Sequence, residues 1–154
     1  FTLIEKAGAD ASHTVGAGKK FFARPRPLVG NDAPICIERG DIAKSYSYPS
    51  GHTTQGWAYA LILAELVPDR TNEIAARGRA YGESRVVCGV HWASDVAAGR
   101  VAASALVAAL HGSRAFRADM NKARAEIASF RKTAPPPVQK ICAVSNAAAA
   151  KQPW

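Results

Sequence analysis

Three short segments hold side chains whose types and spacing suit a common chemistry. The first runs from Lys19 to Arg26-Pro27 and also contains Lys20 and Arg24. Its prolines argue for a fixed loop able to aim Lys19 and Arg26 at one point. The second is Pro49-Ser50-Gly51-His52, just ahead of an apolar helical stretch. A helix N-terminus offers free backbone N–H groups and partial positive charge, the two properties that hold an anion. Gly51 lets the backbone approach a ligand closely, and His52 would stand beside that anion as a proton donor. The third segment is Ser84-Arg85, then His91, then Asp95. On one helix, His91 and Asp95 would share a face, so Asp95 could fix one ring nitrogen and leave the other free to attack. Arg85 continues the spacing of Ile74, Gly78 and Tyr81, an inward face where a guanidinium needs a partner such as a phosphate.

Taken together, these groups describe a metal-free phosphoryl-transfer site. Lys19, Arg26, Arg85 and the backbone at Ser50 and Gly51 neutralise phosphate oxygens. His91 attacks, and His52 protonates the leaving group. Each segment taken alone has a blander reading: a solvated basic face, a Pro-Gly turn, and a surface His–Asp pair.

Helices must position these groups. From Thr53 the chain turns Ala- and Leu-rich, and a helix over Thr53–Leu66 is stopped by Pro68. A second, capped by Asp69 or Thr71, runs to about Arg85 or Val87, and a third covers about Ser94–Leu110. Ser113 caps a fourth over Arg114–Lys132, with an apolar stripe of Phe116, Met120, Ala123, Ile127 and Phe130. Gly16, Gly18, Pro25, Pro27, Gly30 and Pro34 mark residues 1–48 as irregular loop with at most a short helix, placing His13 in a loop. Residues 134–154 carry Pro135-Pro136-Pro137 and an Ala run and read as a tail after a 1–133 core. No strand pattern or repeat emerges, so the fold class is all-α. Trp57 and Trp92 read as core residues, with stacking on an aromatic leaving group at the pocket mouth as the alternative, and His111 as a complement to a helix dipole.

The 154 residues carry 20 Lys and Arg against 12 Asp and Glu, a net charge of +8. With 48% hydrophobic and 21% charged residues, the chain is not wholly disordered. The charge calls for an anionic partner. No apolar run reaches the roughly 18 residues of a membrane span, since the best candidate, Val96–Leu110, contains Arg100. Cys36, Cys88 and Cys142 form no CxxC pair, and the odd count leaves one thiol free or paired outside the chain. Cys88 reads as a buried packing or disulfide cysteine rather than a catalytic one.

The pattern K-x6-RP, PSGH, SR-x5-H-x3-D resembles the three-part signature of the type-2 phosphatidic acid phosphatase superfamily. Its surroundings, GDIAKSYSYPSGHTTQGWAYALILAEL and GESRVVCGVHWASDVAAGR, are most similar to class A bacterial non-specific acid phosphatases. The resemblance implies an all-α bundle with His91 as a phosphohistidine-forming nucleophile oriented by Asp95. It also implies His52 as general acid, and Lys19, Arg26, Ser50, Gly51 and Arg85 as the phosphate site. It further implies a metal-independent acid phosphatase without cofactor, periplasmic or secreted, inhibited by vanadate and forming homo-oligomers.

Family members carry several helices ahead of the Lys motif, whereas only 18 residues precede Lys19 here. The expectation is a catalytic core lacking its N-terminal helices, with a companion N-terminal fragment or another chain supplying them. That missing part could also hold the partner of the odd cysteine. Two other functions are weighed against acid phosphatase. A vanadium-dependent haloperoxidase would use the same cations to hold vanadate. A basic nucleic-acid-binding module would explain the charge but not the spacing of His52, His91 and Asp95. The preferred reading therefore has phosphomonoesters and phosphate, vanadate or sulfate anions as ligands, with no nucleic acid and no membrane span.

Overall fold

Small residues set how closely the helices of this chain can pack. A computed structural model describes residues 2–136 and 138–150. Six helices run in order: α1 Thr2–Phe22, α2 Gly51–Leu66, α3 Thr71–Val87, α4 Ala93–His111, α5 Arg114–Thr133 and α6 Gln139–Ala150. Short 3₁₀ turns lie at Asp41–Lys44 and Pro68–Arg70, and no strand occurs among the described residues. The all-α expectation holds.

Helix α2 is central and packs against α1, α3 and α4. Its sequence is apolar nearly all round, as a buried helix requires. The neighbours meet it through glycines. A Cβ on Gly99 of α4 would lie 2.8 Å from Thr53 Cβ and 2.9 Å from the Ser50 carbonyl. A Cβ on Gly82 of α3 would lie 2.9 Å from Thr53 Cγ2. Both crossings fall at the first turn of α2, so they fix that helix end. Further along, Ala58, Ile62 and Leu66 of α2 join Leu3, Ala7, Ala103, Val107, Phe116 and Met120 in one apolar core.

The first 48 residues depart most from expectation. They begin with a helix of 21 residues rather than a loop. Leu3, Ala7, Ala11 and Val15, one helical turn apart, form its buried stripe. Its glycines are not breakers. A Cβ on Gly8 would meet the Tyr59 hydroxyl, and one on Gly18 would sit 2.9 Å from Pro49 Cδ. Packing against α2 outweighs the helix propensity that glycine lacks. His13 therefore lies on α1, exposed, and not in a loop.

Smaller differences follow the same logic. Helix α3 has no side-chain cap, and Asp69 instead forms a two-pronged pair with Arg131 at 2.9 and 2.6 Å. Ser113 does cap α5, but Phe130 is exposed because the stripe leaves the core after Ile127. The Pro/Ala-rich segment contains α6, which packs against α3; its Pro137 and residues 151–154 lie outside the described residues. Among the described residues, α4 alone is long and apolar enough to cross a membrane. A core helix passes the same test, and its Val96, Gly99, Ala103 and Val107 are buried in the bundle.

Cys36 and Cys88 form a disulfide, leaving Cys142 free. Cys88 therefore finds its partner within the described chain, not in a missing part. The bridge ties the long α1–α2 connection to the turn that carries His91. Leu28, Val90, Ile35 and Ile42 pack around Cys88.

Candidate active site

Lys19, Arg26, Ser50, Gly51, His52, Arg85, His91 and Asp95 converge near the N-terminal end of α2. Lys19 comes from the last turn of α1, Arg26 from the loop after it, and Arg85 from the last turn of α3. Ser50, Gly51 and His52 open α2, while His91 and Asp95 bracket the start of α4.

His91 is 2% exposed. Its Nδ1 lies 3.1 Å from Asp95 Oδ2, and its Nε2 lies 3.0 Å from Arg26 Nη1. A guanidinium can only donate, so Nε2 must be the acceptor and Nδ1 carries the proton to Asp95. The ring is thus held as the neutral tautomer with its Nε2 lone pair on Arg26. Burial lowers the His91 pKa below its ordinary value, and Arg26 and Lys19 push the same way against the Asp95 hydrogen bond.

His91 and Asp95 do not share a helix as the four-residue spacing suggested. Helix α4 begins at Ala93, two residues after His91. Asp95 occupies the third helical position, and its carboxylate reaches back to accept the Trp92 N–H at 2.9 Å. That capping bond turns the same oxygen toward His91. Burial alone would raise Asp95, but hydrogen bonds from His91 and Trp92 and the charge of Arg24 outweigh it and hold the carboxyl below its ordinary value.

Arg26 is buried and tethered on three sides. Its Nε donates to the Ser45 carbonyl at 3.0 Å, and Nη1 donates to the Val90 carbonyl at 2.8 Å. Its Nη2 reaches the Tyr46 carbonyl, which Lys19 Nζ also bonds. Burial, then the neighbouring Arg26, lowers the Lys19 pKa to about 8. The cations crowd one another with a single carboxylate among them, a field that favours a bound anion.

Arg85 adds a sharper sign. Its Nε is buried and has no hydrogen-bond acceptor among the described residues. A buried donor without a partner is costly, and such atoms mark places where a ligand completes the structure.

At α2, Ser50 caps the helix by accepting the Thr53 N–H at 3.3 Å. Its own N–H donates to the Asp95 carbonyl at 3.0 Å. The N–H groups of Gly51 and His52 are the ones that helix geometry leaves over. His52 is exposed at the rim, with its ring 6.1 Å from that of Tyr81. Partial desolvation, then the charges of Arg85, His91, Arg26 and Lys19, lower its pKa.

Sequence reasoning missed Arg24 as a site residue. Its Nη1 bonds Asp95 Oδ1 at 2.9 Å. Trp92 is exposed rather than core: its ring faces Arg24 at 5.3 Å, and its Nε1 donates to the Pro25 carbonyl. Trp57 does pack against the core. His111 lies in the last turn of α4, where it complements the dipole, and also pairs with Glu65 at 3.0 Å. No group of three or more His, Cys, Asp or Glu suited to a metal occurs among the described residues.

An all-α bundle thus gathers several cations and a carboxylate-held histidine at one helix end. The family model of the PAP2 superfamily matches residues 7–118, and the chain belongs to that superfamily. It is 47% identical over 148 residues to an acid phosphatase of Zymomonas mobilis subsp. mobilis, covering 95% of this chain and 56% of that protein. It is 41% identical over 132 residues to a non-specific acid phosphatase of Providencia stuartii, covering 84% and 52%. It is also 33% identical over 109 residues to a decaprenylphosphoryl-5-phosphoribose phosphatase of Mycobacterium tuberculosis, covering 70% and 58%. The chain spans about half the length of the curated relatives it matches.

Proposed function

We propose that this chain carries the catalytic core of a metal-independent acid phosphatase that hydrolyses phosphomonoesters through a phosphohistidine. One observation carries the reading: His91 Nε2 is held by Arg26, and the neighbouring Arg85 has a buried Nε with no acceptor among the described residues. A phosphate oxygen would satisfy Arg85 and place phosphorus before His91.

Substrate binding draws Arg26 Nη1 from Nε2 to a phosphate oxygen. Lys19, Arg85 and the N–H groups of Gly51 and His52 take the others, with Ser50 acting through the cap that orients them. His91 Nε2 then attacks phosphorus, and the bond to the leaving oxygen breaks as His52 gives that oxygen a proton. Asp95 stabilises the positive charge that develops on the His91 ring. In the second half, His52 takes a proton from water, the oxygen attacks phosphorus, and the N–P bond breaks to release phosphate. An alcohol in place of water would give phosphotransfer.

The match to relatives named as acid phosphatases supports the substrate class. The Cys36–Cys88 disulfide supports a periplasmic or secreted location, where such bonds persist. Homo-oligomers, or a companion segment such as the longer relatives contain, complete the proposed assembly.

The direct test is release of nitrophenol from p-nitrophenyl phosphate in the presence of a chelator, with trapping of labelled phosphate on His91 by a quench in alkaline denaturant, where an N–P bond survives. Label on His91 is expected. His91→Ala with full activity would overturn the mechanism.

A further inference from the structure

The Asp95 carboxylate is fully buried, and its two oxygens are used unequally. Oδ2 takes both the His91 ring and the Trp92 N–H. Among the described residues, Oδ1 takes only Arg24 Nη1, at 2.9 Å. An isolated surface ion pair contributes little, but here one partner has no exposed side-chain surface and the other is 35% exposed. Without Arg24, Oδ1 would be a buried anionic oxygen with nothing to bond. Its full charge would then bear on its remaining partners, the His91 ring and the Trp92 N–H.

Arg24 is itself held in place. Nη1 also donates to Ser94 Oγ at 2.6 Å, and the guanidinium carbon stands 5.3 Å over the Trp92 ring. Trp92 Nε1 donates to the Pro25 carbonyl at 3.0 Å, which pins the Arg24–Arg26 segment. Trp92 thus grips both ends of the pair: its ring meets Arg24 and its N–H meets Asp95.

We propose that Arg24 is a positioning residue for His91, acting through Asp95 by fixing one carboxylate oxygen and offsetting part of its charge. Arg24 has no bond to His91 and lies on the far side of Asp95. Other charged or titratable groups face His91 from every side: Lys19 of α1, Arg26 of the loop, His52 of α2, Arg85 of α3 and Asp95 of α4. The cations among them disfavour an imidazolium, and Asp95 favours it. Arg24 tempers Asp95, so the ring keeps its Nδ1–H bond while Nε2 stays unprotonated. This rests on the proposed nucleophilic role of His91, but its primary test does not need activity.

That test is titration of the His91 ring by NMR in the full chain, assigned with His91→Gln. In Arg24→Gln, Asp95 is no longer neutralised at Oδ1, so the His91 pKa should rise by on the order of one unit. The same variant should move the acidic limb of kcat/KM upward by the same amount. It should lower kcat about tenfold at acid pH while KM stays within about twofold. Should Arg24→Gln fail to fold, Arg24→Lys reads the same quantity. One ammonium cannot bond both Asp95 and Ser94 while covering Trp92, so His91 should shift the same way by less.

An unchanged or lowered His91 pKa in a folded variant overturns the proposal. So does a tenfold rise in KM with kcat intact, which would make Arg24 a substrate ligand. An inactive wild type would instead sink the phosphatase reading and leave the His91 titration to decide this one.

Discussion

The two histidines of the pocket sit in opposite settings. His91 is walled in, with both ring nitrogens engaged and Asp95 behind it bonded to Arg24, Trp92 and the ring. His52 stands at the exposed rim, touching the Tyr81 ring and surrounded by charges it does not bond. A nucleophile gains from a fixed tautomer and a fixed direction. A group that gives a proton to the leaving atom and takes one from water gains from access to solvent. The contrast teaches that over-determined geometry is concentrated on the side that forms the covalent bond.

Attacking the rigid side should cost most. Asp95→Asn preserves shape but offers an amide where the carboxylate accepted three N–H groups, two of them at Oδ2, so the ring proton moves to Nε2 and blocks attack. We expect kcat to fall about 10³–10⁴-fold, as in other catalytic histidines that lose their carboxylate. Steady-state kinetics on a folded variant check this. A loss below tenfold would mean that Asp95 does not set the tautomer.

The rim should respond to the substrate instead. His52→Ala removes the proton donor, which matters when the leaving oxygen is basic. For an alkyl phosphate we expect about a 10²-fold loss in kcat, and for p-nitrophenyl phosphate much less. Equal losses for both leaving groups would deny His52 its acid role.

These two regions were not equally legible in the sequence. Lys19, Arg26, His52, Arg85, His91 and Asp95 stood out because the chemistry demands those residue types, and their order along the chain survives folding. The route by which Asp95 reaches His91 did not stand out, because it depends on α4 starting at Ala93 rather than at His91. Arg24 was hidden as one cation in a basic cluster, and only the buried Oδ1 gives it a task. Helix α2 was read almost whole from its apolar run. Helix α1 was misread because its inward stripe is Ala-rich and weakly apolar, and because Gly16 and Gly18 signal a break. The reason for Gly18 lies in Pro49, which is remote in sequence. The Cys36–Cys88 pairing could not be chosen among three cysteines. With 52 residues between its ends, that bridge should contribute about 4 kcal/mol by restricting the unfolded chain.

The pH profile joins the two histidines. Both pKa values are lowered, chiefly by burial and then, at His52, by the cations around it. His91 must be unprotonated, so the rate falls as pH drops through its pKa. His52 must be protonated, so the rate falls as pH rises through its own. For the free enzyme the alkaline limb of kcat/KM should lie below the ordinary histidine value, giving an acid optimum. A bound phosphate dianion offsets Arg85, Arg26 and Lys19, so the His52 pKa should rise in the complex. The alkaline limb of kcat should then lie on the order of one pH unit above that of kcat/KM. Coincident limbs would mean that the cations do not act on His52 as a group.

Lys19 gives the mildest test, because it separates anion binding from chemistry. Burial and Arg26 lower it to about 8, so it is charged below that pH and neutral above. Its loss of charge weakens the hold on an anion without touching His91. Sulfate is the suitable probe, since its charge stays constant over this range and any change comes from the protein. By calorimetry, sulfate affinity should fall by up to about tenfold between pH 7 and pH 9, which is the most one proton can contribute above its pKa. Lys19→Met should bind sulfate weakly at both pH values. Lys19→Arg, charged throughout, should lose the pH dependence while keeping affinity to the extent that its longer fork still fits beside Tyr46 and Ser47. A slope that survives in Lys19→Arg would assign it to another group and move Lys19 from the anion site to the scaffold that holds the Tyr46 carbonyl.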